Sequence, residues 1–157
     1  MRLGIHEDLR QRFVAESKCY VCLAAVFQHS AGSSGIGSAS NPETLVGTVE
    51  LGLRSRYPWQ TSSAHKYLYI SNLAVHPQFR NRGIAQELLR QCEQIALNWN
   101  FPSIYLHVLE DNAIARRLYR RMGYQIRAID WNWNSALLGQ PRQLLLHKPV
   151  TSSQRSP

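Results

Sequence analysis

Apolar residues recur along this chain with two spacings, and each change of spacing marks a new element. From Lys18 to Gln28 a dense run (Tyr20, Val21, Leu23, Val26, Phe27) predicts a buried strand. Thr44 to Arg54, with Val46, Val49, Leu51 and Leu53, predicts a second. Tyr67 to Val75 is rich in aromatic and β-branched side chains. It stops at His76-Pro77, because proline has no N–H to give to a ladder. Beyond Gly83 the spacing becomes helical. Ile84, Leu88, Leu89, Cys92, Ile95 and Ala96 predict a helix from Ile84 to about Trp99, which Asn100 to Pro102 breaks. Strands follow at Ser103 to Leu109, Tyr124 to Ile129 and Gln143 to His147. Between the first two of these lies a short helix, Ala113 to Met122, ended by Gly123 as a left-handed residue. Near the start, Leu9, Phe13 and Val14 predict a helix over residues 7–16.

The connectors read as loops. His29 to Pro42 is rich in Ser and Gly, Ser55 to Ala64 is polar, and Asp130 to Pro141 holds Trp131 and Trp133. Thr151 to Pro157 is polar and expected to be disordered. The order of elements predicts an α+β, or mixed α/β, domain with a mostly antiparallel sheet. One domain spans residues 1–150, with 151–157 as its tail, and no internal repeat divides it.

Composition narrows the function classes. An apolar fraction of 44% with four tryptophans supports a packed core rather than disorder. No apolar run approaches the length of about 20 residues that spans a bilayer. The N-terminus carries acids and lacks a hydrophobic signal core, so a cytoplasmic protein is expected. Three cysteines make an odd count with no disulfide framework. Cys19 and Cys22, set in a predicted strand, point to opposite faces and cannot converge on one ion, so no metal is expected. The net charge of +8 favours anionic ligands or partners without choosing among them.

The stretch Asn72 to Glu87 supplies the choice: a strand, a basic turn with Arg80, Asn81, Arg82 and Gly83, then a helix start at Ile84 and Ala85. Free backbone N–H groups and the positive end of a helix dipole meet there, which suits a phosphate or pyrophosphate. Gly83 leaves room for backbone to approach it. The spacing Arg80-x-x-Gly83-x-Ala85, after a strand ending Leu73-Ala74-Val75, resembles the acyl-CoA motif of the GNAT superfamily of N-acetyltransferases. A second stretch agrees with it: Asn112 opens the next helix and Tyr119 lies two turns on, with the small Ala115 between them. This is similar to the family's second motif, which closes on a glycine and an aromatic, here Gly123-Tyr124.

The resemblance implies the rest of the site. It implies acetyl-CoA as co-substrate, gripped by the turn from Arg80 to Ala85 and by Leu73 to Val75, whose backbone N–H groups polarise the thioester carbonyl. It places Asn112 on the pantetheine arm and makes Tyr119 the acid that protonates the departing thiolate. For the base two residues stand open, His107 and Glu50. Imidazole suits accepting a proton near neutral pH, and Glu50 lies on an earlier strand. The closest likeness is to cyanobacterial and plastid members, in which protein N-termini and lysines are the suspected acceptors. The expected activity is therefore acetyl transfer to a primary amine, on a protein or peptide, by direct attack in a ternary complex of a monomer or homodimer. A small-molecule acceptor or a catalytically weak acyl-CoA sensor is the alternative. Relatives begin with a strand and a helix ahead of the helix placed here at 7–16, and both are expected to be missing. Arg116, Arg117, Arg120 and Arg121 form a basic cluster, expected to be mostly a solvated face with one or two reaching CoA phosphates or an acidic partner. As a nucleic-acid patch the cluster lacks interleaved aromatics or a known module.

Overall fold

The computed structural model describes residues 3–8, 19–28, 43–54, 66–130 and 141–150. Seven strands form one sheet: β1 (Leu3–Asp8), β2 (Tyr20–Gln28), β3 (Glu43–Arg54), β4 (Tyr67–Val75), β5 (Ser103–Leu109), β6 (Gln125–Asp130) and β7 (Gln143–Pro149). Their spatial order is β1-β2-β3-β4-β5-β7-β6. Every neighbouring pair is antiparallel except β4 and β5. The parallel pair is joined by helix α1 (Ile84–Asn98), as a crossover requires. Helix α2 (Ala113–Arg121) connects β5 to β6, and a single 3₁₀ turn (Pro77–Phe79) follows β4.

The alternation read in the sequence sorts the two faces of the sheet. Leu68 and Ile70 of β4, with Ile104, Leu106 and Val108 of β5, are buried in one cluster with Ile84, Leu88, Leu89, Cys92 and Ala96 of α1. The apolar stripe of α1 thus covers β2 to β5, and the intervening strand residues face the other way. Among the described residues, no helix is long and apolar enough to cross a membrane.

One sequence expectation is overturned. Leu3–Asp8 is a strand, paired antiparallel to β2 from Leu3 opposite Phe27 to Asp8 opposite Cys22. The N-terminal strand expected to be missing is therefore present. Glu7 and Asp8, which fall in the predicted helix over residues 7–16, close that strand instead. The β2 edge satisfies their backbone groups, and local periodicity carries no information about that partner. Residues 9–16 of the predicted helix lie outside the described residues. So do the loops 29–42, 55–64 and 131–140 and the tail 151–157.

The sheet opens beside β4. Ser71 pairs with Glu50 but Ala74 with Thr48, so β4 carries one extra residue there, and Asn72 sits at φ 53°. That is a bulge, with its left-handed position filled by one of the residues that tolerate it. β4 and β5 share ladder pairs at Leu68–Ile104 and Tyr69–Tyr105. Beyond them β4 runs on to Val75 and β5 to Leu109 with no further pairing among the described residues.

Candidate active site

The gap between the separated strands widens into a cleft of ≈ 980 Å³. One wall comes from the end of β4 (Leu73, Ala74, Val75), the turn (Phe79, Arg80, Asn81, Gly83) and the first turn of α1 (Ile84, Ala85, Gln86). The other is α2, through Asn112, Ile114, Ala115, Arg117, Leu118, Tyr119 and Arg121. Every residue predicted to hold the cofactor lines this cleft except Arg82, whose guanidinium instead lies 5.1 Å from the centre of the Phe79 ring.

The α1 wall is built to meet an anion. Gly83 is the N-cap at φ 82°, and no side chain caps the helix. The first intrahelical bond runs from the Glu87 N–H to the Gly83 carbonyl at 3.0 Å. The N–H groups of Ile84, Ala85 and Gln86 therefore have no acceptor within the helix. Arg80 is exposed beside them and held by a 3.2 Å bond from its Nε–H to the Val75 carbonyl.

On the α2 wall, Asn112 Oδ1 accepts from the Ala115 N–H at 3.0 Å, which makes it the helix cap that its position predicted. The face continues through Ile114, Arg117, Leu118 and Arg121, a helical stripe that the sequence spacing carries and that was not singled out. Of the four clustered arginines only Arg117 and Arg121 reach the cleft, and Arg116 Nη1 donates to the Glu110 carbonyl at 2.7 Å. Ile114, at 85% exposure, is an apolar side chain left open where a ligand would cover it.

Tyr119 is only 7% exposed. Burial, with a smaller contribution from charge on Tyr69, pushes its phenol up to about 12, so it stays protonated and able to donate at neutral pH. Its ring packs edge-on against Tyr124 at 5.8 Å. Tyr69 links this donor to the remaining candidate. The Tyr69 hydroxyl and His107 Nδ1 are 2.7 Å apart. Sequence reasoning found His107 and missed Tyr69, because nothing local tells which β4 residue stands beside which β5 residue. None of Tyr69, His107 and Glu50 lines the cleft, and Glu50 lies one strand further out, opposite Ser71. Among the described residues, no group of three or more His, Cys, Asp or Glu side chains could hold a metal ion.

Against this geometry, residues 4–124 match the acetyltransferase (GNAT) family. The chain belongs to that family. Among curated GNAT relatives, GCN5-related N-acetyltransferase 10, chloroplastic, of Arabidopsis thaliana is 31% identical over 134 residues, covering 82% of this chain and 49% of the relative. This chain thus spans about half the length of that relative. Arabidopsis thaliana NAA60, solved with a bisubstrate analogue, superimposes with a TM-score of 0.61 at 25% identity, over 85% of this chain and 77% of that one. The same protein has been solved with acetyl-CoA. The ribosomal-protein-S18-alanine N-acetyltransferase of Escherichia coli shares the GNAT fold, with a TM-score of 0.58 at 15% identity over 90% of this chain and 76% of that one.

Proposed function

We propose that this protein transfers the acetyl group of acetyl-CoA to a primary amine of a protein, at an N-terminus or a lysine. The observation that carries the proposal is one site. An uncapped, basic helix N-terminus and a cleft along α2 lead to a buried phenol. The Tyr69–His107 pair lies outside the cleft lining, with Tyr69 near enough to act on that phenol's charge.

Each part has a role in direct transfer. The N–H groups of Gly83 to Gln86, with Arg80, bind the CoA pyrophosphate. Asn112 and Ala115 border the pantetheine arm, and the family relationship supports this placement. The backbone of Leu73 to Val75, paired with β3 at Ala74 and Val75 but with no β5 partner among the described residues, turns its open edge toward the thioester carbonyl, and N–H groups there stabilise the oxyanion. When Tyr69 donates its hydroxyl proton to His107 Nδ1, the phenol oxygen is left to accept a proton from the incoming ammonium. The neutral amine then attacks, the new C–N bond forms, the C–S bond breaks, and Tyr119 gives its proton to the thiolate. Glu50, a strand away, is the second candidate for the base. The sensor alternative drew on a missing N-terminal strand and helix, and β1 supplies the strand.

Acetylation of a peptide library by the full chain, read by mass spectrometry, tests the activity. Tyr119→Phe should lower kcat by about 10²- to 10⁴-fold with CoA affinity unchanged. Tyr69→Phe should also lower kcat and distort the acidic limb of the pH profile, because it breaks the link to His107. Full turnover by both variants would remove the assigned chemistry.

A further inference from the structure

The sheet face turned away from α1 carries a row of rings of which the transfer reaction uses only the first, Tyr69. Ladder register puts Tyr69 of β4 beside Tyr105 of β5, Tyr105 beside His147 of β7, and His147 beside Gln125 of β6. Tyr105 packs on His147 with ring centres 4.9 Å apart and meets the edge of Tyr67 at 5.1 Å. Tyr67, Tyr105 and His147 are each half-buried, so the row offers a flat, partly apolar surface. It starts at the Tyr69–His107 pair and so continues the reacting end of the site.

A guanidinium stands at each end. Arg54 lies 3.9 Å over the Tyr69 ring. Arg127 occupies the irregularity of β6 between Ile126 and Ala128. It is near enough to His147 that, after burial, its charge is the second cause holding that imidazole below its ordinary pKa. Both arginines are exposed. Three strand spacings separate Tyr69 from β6, about 14 Å, which an extended chain covers in about four residues. A small amine bound at Tyr69 would leave that distance bare, whereas a polypeptide fills it.

We infer that this row is the track of the acceptor polypeptide, and that the protein selects amines followed by acidic residues. The inference rests on the acetyltransferase proposal for the same site. An acid next to the amine meets Arg54, and one about four residues on from the amine itself meets Arg127. Glu50, opposite Ser71, attracts a basic residue and so works against this preference near Tyr69, and the two arginines outweigh that single carboxylate.

The test reads binding apart from turnover. The full chain loaded with CoA is titrated calorimetrically with peptides that differ only in carrying Asp, Ser or Lys at the second and fifth residues. The Asp peptide should bind about 10-fold more tightly than the Lys peptide, since two exposed charge contacts change sign between them. Arg54→Glu with Arg127→Glu should reverse that order, and added salt should shrink it. Melting temperature and CoA affinity of the variant establish that it is folded. Equal affinities, no peptide binding, or an order untouched by the charge reversal overturns the inference. An acidic preference in binding without acetylation of any amine would instead count against the acetyltransferase proposal and leave the track standing.

Discussion

Cys92, Tyr119 and Tyr124 are all raised in pKa by one main cause: burial penalises their charged forms. For Tyr119 this suits the proposed acid role, since a phenol shifted from 10.0 to about 12 keeps its proton at neutral pH. For Cys92, buried in the α1 stripe and shifted from 9.0 to about 12, it marks an inert core thiol. The same shifts fix how stability responds to alkali. A folded pKa above the unfolded one means that the fold holds the neutral form. The stabilisation is whole below the unfolded value and lost as pH rises through the folded one. The loss should therefore begin near pH 9.0 with Cys92, be joined near 10.0 by the tyrosines, and continue to about 12. Each group contributes a slope of up to about 1.4 kcal/mol per pH unit. Urea midpoints collected between these limits should fall less steeply at the start of the window for Cys92→Ala. An unchanged slope would mean that Cys92 does not titrate on unfolding. Residue identity made Tyr119 and His107 visible in the sequence, whereas Tyr69 became visible only once its hydroxyl was seen 2.7 Å from His107.

Among the elements, the β4 bulge decides whether a cleft exists. Its single left-handed residue, Asn72 at φ 53°, lets β4 step out of register with β3, beyond the point where its pairing with β5 ends. Asn72→Gly keeps that conformation accessible and should retain CoA binding. Asn72→Val puts a β-branched side chain where it is strongly disfavoured, and should cost about 1–2 kcal/mol of stability. It should also weaken CoA binding as β4 straightens, read by urea melts and CoA titration side by side. A valine variant that binds CoA normally would show that the opening does not depend on this residue. The limits of β4, Tyr67–Val75, and β5, Ser103–Leu109, were readable to the residue, since proline, glycine and the change of period punctuate them. Their side-by-side parallel pairing was not readable, because no periodic feature of either strand records its neighbour.

Across the whole molecule, the net charge of +8 includes three arginines gathered at the cleft. Arg80 and the uncapped end of α1 stand at one wall, and Arg117 and Arg121 at the other. CoA affinity should fall as ionic strength rises past about 0.1 M, where screening shortens to roughly 10 Å. Arg117→Glu with Arg121→Glu should flatten that dependence as well as weaken binding, whereas Arg116→Glu, turned to the Glu110 carbonyl, should do much less. A salt dependence that all these variants share would place the anion elsewhere. A family resemblance pointed to Tyr119, whereas the sequence by itself determined most of the elements, the basic glycine turn at Arg80 to Ala85 and the Asn112 cap. These follow from local rules, namely side-chain period, the backbone freedom of glycine and the orphan N–H groups of a helix start. Only the tertiary structure decided that Leu3–Asp8 is a strand, that β4 parts from β5, that Tyr69 rather than Glu50 stands with His107, and that two of four arginines face the cleft. Each of these depends on which distant segment lies alongside, and that is settled by the packing of the whole sheet around α1.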